Sequence, residues 1–310
     1  LSLEVWHPKD EFLKRSSWIV FMPGLGGSQD HFRWLARSLS SNGWPVVILE
    51  HPGSDVKAVQ QLLEGKNVLP GAEVLPDRLA DLRSLINFRD SGDLNLQGSN
   101  LILMGHSLGS LTAFLASGVT PQEGLDQRCD KALDDLSLTN LSQLLQCQLV
   151  DVDIVKQEEI PNLKAIVAIN SFGSLLWPNE RDAELTVPVL LLGGTLDLIT
   201  PPIQEQLGLL LATTPNPFSR TLLIEGASHF SSVRVDGQDK REAGDDLFQL
   251  DDALVGDQPL SVQSLFVQEI IRYLDILEKG NNMVTSYHQQ KGDLRIHLMD
   301  RQSVRRLLNN

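Results

Sequence analysis

Short apolar runs alternate with loops rich in Gly or Pro and with amphipathic segments along most of the chain. Trp18-Ile19-Val20-Phe21-Met22 reads as a buried strand and ends at Pro23-Gly24-Leu25-Gly26-Gly27. The spacing then predicts a helix capped by Ser28, with Phe32, Leu35, Ala36 and Leu39 on its apolar face and Asn42-Gly43 as its stop. Val46-Val47-Ile48-Leu49 is the next strand, followed by the loop His51-Pro52-Gly53-Ser54. A helix is predicted from about Pro76 to Phe88, since Leu79, Leu82, Leu85 and Ile86 share one face. Leu101-Ile102-Leu103-Met104 is a third strand and runs into Gly105-His106-Ser107-Leu108-Gly109, after which small and apolar residues continue as a helix to about Ser117. Residues 119–160 break the rhythm, with acids and leucines mixed at helical spacing, and read as an inserted helical cap. Strands resume at Ala165–Ile169, Pro188–Leu192 and Thr221–Ile224, a charged Gly- and Asp-rich loop spans 234–257, and Val262–Leu277 is an amphipathic helix. Continuous apolar strands alternating with helices predict an α/β fold: a mostly parallel central sheet with helices on both faces.

The chain has 310 residues, which suits one α/β domain over 1–310 carrying the 119–160 cap. The last segment, 291–310, holds five bases and two acids and reads as a basic tail, either a terminal helix packed on the body or the start of a further domain. The net charge of −14 argues against nucleic acid or an anionic membrane surface as partner. No run approaches the roughly 18 apolar residues of a membrane span. The chain opens on Leu1-Ser2-Leu3-Glu4 without a Met or a charged-then-apolar leader, so a removed signal peptide, an upstream domain or trimming is expected before it. The compartment therefore stays open between cytoplasmic and periplasmic or secreted. Cys129 and Cys147 fit no zinc spacing, and two thiols alone do not close a structural zinc site. They read as two free buried thiols, the alternative being one disulfide stapling the cap in an oxidising compartment.

Gly105-His106-Ser107-Leu108-Gly109 matches Gly-x-Ser-x-Gly. Such a pattern arises by chance in about one chain in ten of this length. Its context sharpens it: it joins an apolar strand to a helix of small residues, where a tight turn presents a nucleophilic hydroxyl and needs positions two before and two after the Ser nearly free of side chain. A serine is a poor nucleophile without an adjacent base. In this arrangement the acid and then the base follow downstream. Asp197 lies just past the 188–192 strand, whereas the loop after the preceding strand reads Asn170-Ser171-Phe172-Gly173 and offers no carboxylate. His229 follows the 221–224 strand in Gly226-Ala227-Ser228-His229-Phe230, and only His288 and His297 lie beyond it. The candidate triad is Ser107, Asp197 and His229, with His106 expected to point away and pack. An oxyanion needs two preorganised N–H donors. These are assigned to Leu108 and, across the glycine-rich loop, to Leu25. That loop lacks the Gly-Lys-Ser/Thr of a phosphate loop and the spacing of a dinucleotide site.

These segments, with Arg78 to Asp81 and Val187-Pro188 to Pro201, resemble the predicted dienelactone-hydrolase group of α/β-hydrolases, including its platelet-activating-factor-acetylhydrolase-like and cyanobacterial members. The resemblance covers roughly residues 18–230 in order. It implies the α/β-hydrolase fold, ester hydrolysis through an acyl-serine and no cofactor; no metal is expected at the site. The chain departs from relatives in carrying Pro23-Gly24 where His-Gly is usual at the oxyanion loop. It also has Ser107 where true dienelactone hydrolases use Cys, so a dienelactone substrate is not implied. The expected partner is a small-molecule ester with an apolar acyl group, bound by Phe172 and Trp177 together with cap leucines. A thioesterase or acyltransferase using the same triad, and a non-catalytic ligand-binding homologue, are the competing readings.

Overall fold

The computed structural model of the chain describes residues 2–9, 15–66, 70–134, 140–233, 258–281 and 285–309. The charged loop expected at 234–257 lies outside these. Nine strands among the described residues form one sheet: β1 (Ser2–Trp6), β2 (Ser17–Met22), β3 (Val46–Glu50), β4 (Asn100–His106), β5 (Leu163–Ile169), β6 (Val189–Gly194), β7 (Arg220–Ile224), β8 (Tyr287–Lys291) and β9 (Leu294–Met299). Their spatial order is β1-β3-β2-β4-β5-β6-β7-β9-β8. The six from β3 to β7 run parallel, as their continuous apolar sequences predict. The ends of the sheet are antiparallel: β1 on β3, β9 on β7 and β8 on β9.

The antiparallel ends are where periodicity gave too little. In β1, Ser-Leu-Glu-Val-Trp is half-buried throughout, so it lacks the apolar run that marks a central strand. The expected basic tail is the other difference. β8 is polar except for Tyr287, but Leu294, Ile296 and Leu298 of β9 alternate inward and are buried against the sheet. Residues Arg301–Leu308 then form a helix, capped by the Asp300 carboxylate on the Ser303 N–H at 2.8 Å. Bases in these strands and in that helix are held by neighbouring acids, as Lys291 is by Glu269 at 2.8 Å.

Alternate strand residues feed two cores. On one face Trp18, Val20, Met22, Leu101, Leu103, Ile166 and Leu191 pack under the helices α3 (Leu75–Asp90) and α4 (Leu108–Ala116). On the other, Ile19, Phe21, Ile102, Met104, Val167 and Leu192 pack under α1 (Arg33–Ser41) and the long helix Pro259–Lys279, while α2 (Val56–Leu63) follows the loop after β3. Both faces of a parallel strand are thereby dry, which is why its sequence shows no polar alternation.

The 119–160 insertion carries helices at Leu125–Asp134 and Ser142–Cys147. Cys129 and Cys147 are joined in a disulfide, so the free-thiol reading is corrected. Closing a loop with a sequence separation of 18 stabilises by roughly 3 kcal/mol in the chain-entropy account. Among the described residues, no helix is long and apolar enough to cross a membrane.

Register sets the position of the site. Met22 pairs with Gly105, His106 with Ile169, and Ile169 with Leu192. The loops that follow β2, β4, β5, β6 and β7 therefore leave from one edge of the sheet. The crossing of β2 and α4 there is close enough that a Cβ on Gly109 would lie 1.9 Å from the Met22 carbonyl oxygen, and one on Gly105 would lie 2.3 Å from the Gly109 carbonyl carbon. Both obstacles are backbone and do not swing aside. Gly109→Ala is expected to cost about 3 kcal/mol or more. Thermal unfolding tests this, and a wild-type Tm would contradict the close approach.

Candidate active site

Ser107 is the turn between β4 and α4. Its backbone is left-handed, at φ 52° and ψ −119°, an uncommon conformation for a residue with a Cβ and one that stores strain. The strain lifts the side chain out of the strand line, so Ser107 is half-buried while Leu108 behind it is fully buried. The Ser107 N–H donates to the Ile169 carbonyl at 2.8 Å, anchoring the turn on the neighbouring strand.

The acid and the base come together on the loops after β6 and β7. His229 Nδ1 lies 2.9 Å from Asp197 Oδ2, with both side chains almost wholly buried. Asp197 is enclosed by donors: Ile199 N–H at 2.9 Å and Thr200 N–H at 2.7 Å on Oδ1, and Asn170 Nδ2 at 2.7 Å and the Thr200 hydroxyl at 2.6 Å on Oδ2. Burial pushes its pKa up. The charge and hydrogen bond of His229 and the bonds from Thr200 outweigh this, so the carboxyl sits below its ordinary value. An ionised Asp197 only accepts, so His229 carries its proton on Nδ1 and presents a lone pair at Nε2.

His229 is braced from behind by His106. The two rings lie 4.9 Å apart, and His106 Nε2 is 3.0 Å from the His229 carbonyl oxygen, so Nε2 of His106 must be the protonated nitrogen. His106 lies against the base, and its place is to hold it. Among the described residues no hydrogen bond joins Ser107 Oγ to His229, although His106, the chain neighbour of Ser107, is in ring contact with His229. Such contacts often lengthen without substrate.

The glycine-rich loop after β2 lies directly over the turn: a Cβ on Gly24 would be 3.0 Å from Ser107 Cβ. Gly26 N–H donates to Ser54 O at 2.8 Å and Gly27 N–H to Gly24 O at 3.0 Å, whereas neither Leu25 N–H nor Leu108 N–H has a partner among the described residues. The Leu108 N–H also belongs to the free first turn of α4.

Arg78 is a residue that sequence reasoning left without a role. Its guanidinium is buried and donates to Pro23 O at 2.5 Å, Ser54 Oγ at 2.8 Å and Thr112 Oγ1 at 3.0 Å, tying the Leu25 loop to the loop after β3 and to α4. Burial lowers its pKa to about 9, which leaves it charged at neutral pH. The available signal was a cation four residues before Leu82, on the apolar face of α3.

Phe172 and Trp177, expected in the substrate pocket, are 1% and 2% exposed and belong to the core packing. Trp177 packs at a tilt against Phe114 and donates its ring N–H to Thr120 O at 2.8 Å. The insertion instead docks beside Asp197: Ser142 N–H donates to Ile199 O at 2.9 Å. Buried Glu205 fastens it, accepting from Asn140 Nδ2 at 2.9 Å, Gln146 Nε2 at 3.2 Å, Gly173 N–H at 2.7 Å and Ser174 Oγ at 2.7 Å.

Two buried histidines are expected to make the fold acid-sensitive. Burial, then the charge of Arg78, pushes His51 down to about 3; burial, then the charge of His229, does the same to His106. Unfolded, each titrates near 6.5, so between about 6.5 and 3 the unfolded chain binds more protons. Stability therefore falls as pH drops through that window, at up to about 1.4 kcal/mol per pH unit for each histidine. We expect a lower Tm at pH 5 than at pH 7, with a shallower dependence in His106→Gln, whose amide can still donate to the His229 carbonyl. An unchanged slope in that variant would remove His106 from the account.

The chain matches no protein-family model and no curated protein.

Proposed function

We propose that this chain is a serine hydrolase of the α/β-hydrolase type that cleaves carboxylic esters through an acyl-serine. The carrying observation is the hydrogen-bonded His229–Asp197 pair, which leaves an Nε2 lone pair on the same sheet edge as the strained Ser107 turn. The N–H groups of Leu25 and Leu108, without partners among the described residues, are the two donors this reading assigns to developing negative charge.

In this reading His229 Nε2 takes the Ser107 proton as Oγ attacks the ester carbonyl carbon. The carbonyl oxygen becomes an oxyanion, held by the Leu25 and Leu108 N–H groups. His229 then gives the proton to the leaving alcohol as the C–O bond breaks, and the acyl group remains on Ser107. A water molecule, deprotonated by His229, repeats the sequence and releases the acid. Asp197 holds the imidazole in the required tautomer throughout.

An apolar acyl group is favoured by what surrounds the acid loop. Leu196 and Leu198 flank Asp197 and are 53% and 59% exposed. Leu141 and Leu144 of the docked insertion are exposed beside them. Exposed leucines concentrated at one place mark a binding surface more often than scattered ones do. Binding without turnover is the second reading, and the unbonded Ser107 hydroxyl is the observation in its favour. A p-nitrophenyl ester series from acetyl to long acyl chains separates the two. Turnover that improves with chain length supports the esterase with an apolar acyl site. Saturable ester binding with no release of p-nitrophenol supports the ligand-binding protein.

A further inference from the structure

We propose that Asn170 is a positioning residue for the Asp197–His229 pair: its side-chain amide, presented by a left-handed backbone, fixes the carboxylate oxygen that His229 uses. This rests on the triad reading above and deepens it. Asn170 follows directly on β5, between the strand that leads to Ser107 and the strand that leads to Asp197. It is fully buried, and its φ of 49° is a left-handed value that Asn adopts more often than other residues with a Cβ, though less readily than Gly. Its N–H donates to Leu192 O at 2.7 Å, and the Thr200 hydroxyl, which donates to Asp197 Oδ2 at 2.6 Å, lies 3.2 Å from its carbonyl oxygen.

Among the described residues the side chain is held by one hydrogen bond: Nδ2 donates to Asp197 Oδ2 at 2.7 Å, while Oδ1 is buried without a partner. A carboxylate cannot donate, so the amide has a single possible orientation. Two unfavourable features thus coincide at one residue, a strained backbone and an orphaned buried oxygen. A glycine would remove both. What glycine would not supply is a donor on Oδ2, the oxygen bonded by His229 Nδ1 at 2.9 Å. The other side-chain donor there, the Thr200 hydroxyl, is a rotor with competing partners: it lies 3.2 Å from Asn170 O and 3.3 Å from His229 Nδ1. The Asn170 amide cannot rotate away. Oδ2 is shared by the Asn170 amide, the Thr200 hydroxyl and His229 Nδ1–H, and of the first two the amide is the one with a fixed direction.

The test uses Asn170→Gly, which relieves the backbone, and Asn170→Asp, which keeps shape and volume but replaces the donor by an acceptor. In the full chain, both are expected to lower kcat on a p-nitrophenyl ester about tenfold or more with KM little changed, the size of effect that follows from losing a hydrogen bond to a charged group. Asn170→Gly is expected to keep the wild-type Tm within a few degrees, since it also removes strain. The proton on His229 Nδ1, observed by NMR, is expected to shift in both. A folded Asn170→Gly or Asn170→Asp protein with wild-type kcat and an unmoved His229 resonance overturns the proposal, whatever its Tm. If instead the wild type itself neither turns over esters nor reacts with a fluorophosphonate, the triad reading fails. The NMR shift then still decides whether Asn170 positions His229 through Asp197.

Discussion

Ser107→Ala is expected to lower kcat on any ester substrate by about 10⁴-fold or more while leaving the Tm close to that of the wild type. The loss follows from chemistry: without Oγ no acyl-enzyme forms, and His229 can only assist direct attack by water. The retained fold follows from the structure. Ser107 is half-buried, and its hydroxyl makes no hydrogen bond among the described residues. Alanine keeps the Cβ, so the cost of the left-handed backbone at φ 52° is the same before and after. What holds the turn is the Ser107 N–H on Ile169 O and the bare Gly105–Gly109 crossing, and neither is touched. A folded Ser107→Ala protein with substantial turnover would remove Ser107 from the chemistry.

Asp197→Asn is expected to lower kcat by about 10³- to 10⁴-fold. Oδ1 faces the N–H groups of Ile199 and Thr200, which cannot reverse, so the amide oxygen must stay there. The new NH₂ group is then forced onto the Oδ2 side, against His229 Nδ1 and the Asn170 amide, both donors to the carboxylate. His229 relieves the clash by moving its proton to Nε2. That tautomer cannot accept the Ser107 proton. The Ile199 and Thr200 N–H groups also lose an ionised acceptor, and hydrogen bonds to a charged group are worth about 1.5–3 kcal/mol against about 1 kcal/mol for neutral ones. A lowered Tm is thus expected alongside the lost turnover, in contrast to Ser107→Ala. Wild-type turnover in a folded Asp197→Asn protein would place the orienting acid elsewhere.

Much of this architecture is legible in the chain because parallel strands buried on both faces leave a strong mark. The runs at 18–22, 101–104 and 165–169 are unbroken apolar blocks, and the observed strands extend them by one to three residues. The edge strands leave a weak one. β1 is half-buried and β8 is nearly all polar, so each depends on a partner that sequence spacing does not reveal. The candidate site divides the same way. Ser107, Asp197 and His229 are legible because each follows a strand and ends in a loop at one edge. Asn170 was legible only as the absence of a carboxylate. Its relevance comes from a φ angle and a distance to Asp197, neither encoded by any local pattern. Phe172 and Trp177 mislead for the opposite reason: large apolar residues after a strand suit a pocket and a core equally, and tertiary packing puts them in the core. The cysteines needed the fold as well, since only the approach of the two helices of the insertion brings Cys129 to Cys147.

The most direct measurement is the mass-spectrometric mapping of the adduct formed when the folded chain reacts with a fluorophosphonate. Such a reagent needs an activated serine beside a working base and oxyanion donors, and it does not depend on guessing the substrate. The account predicts a single adduct on Ser107 that is lost in His229→Ala and slowed in Asp197→Asn. No adduct on the folded wild type, or an adduct on another serine, would contradict it.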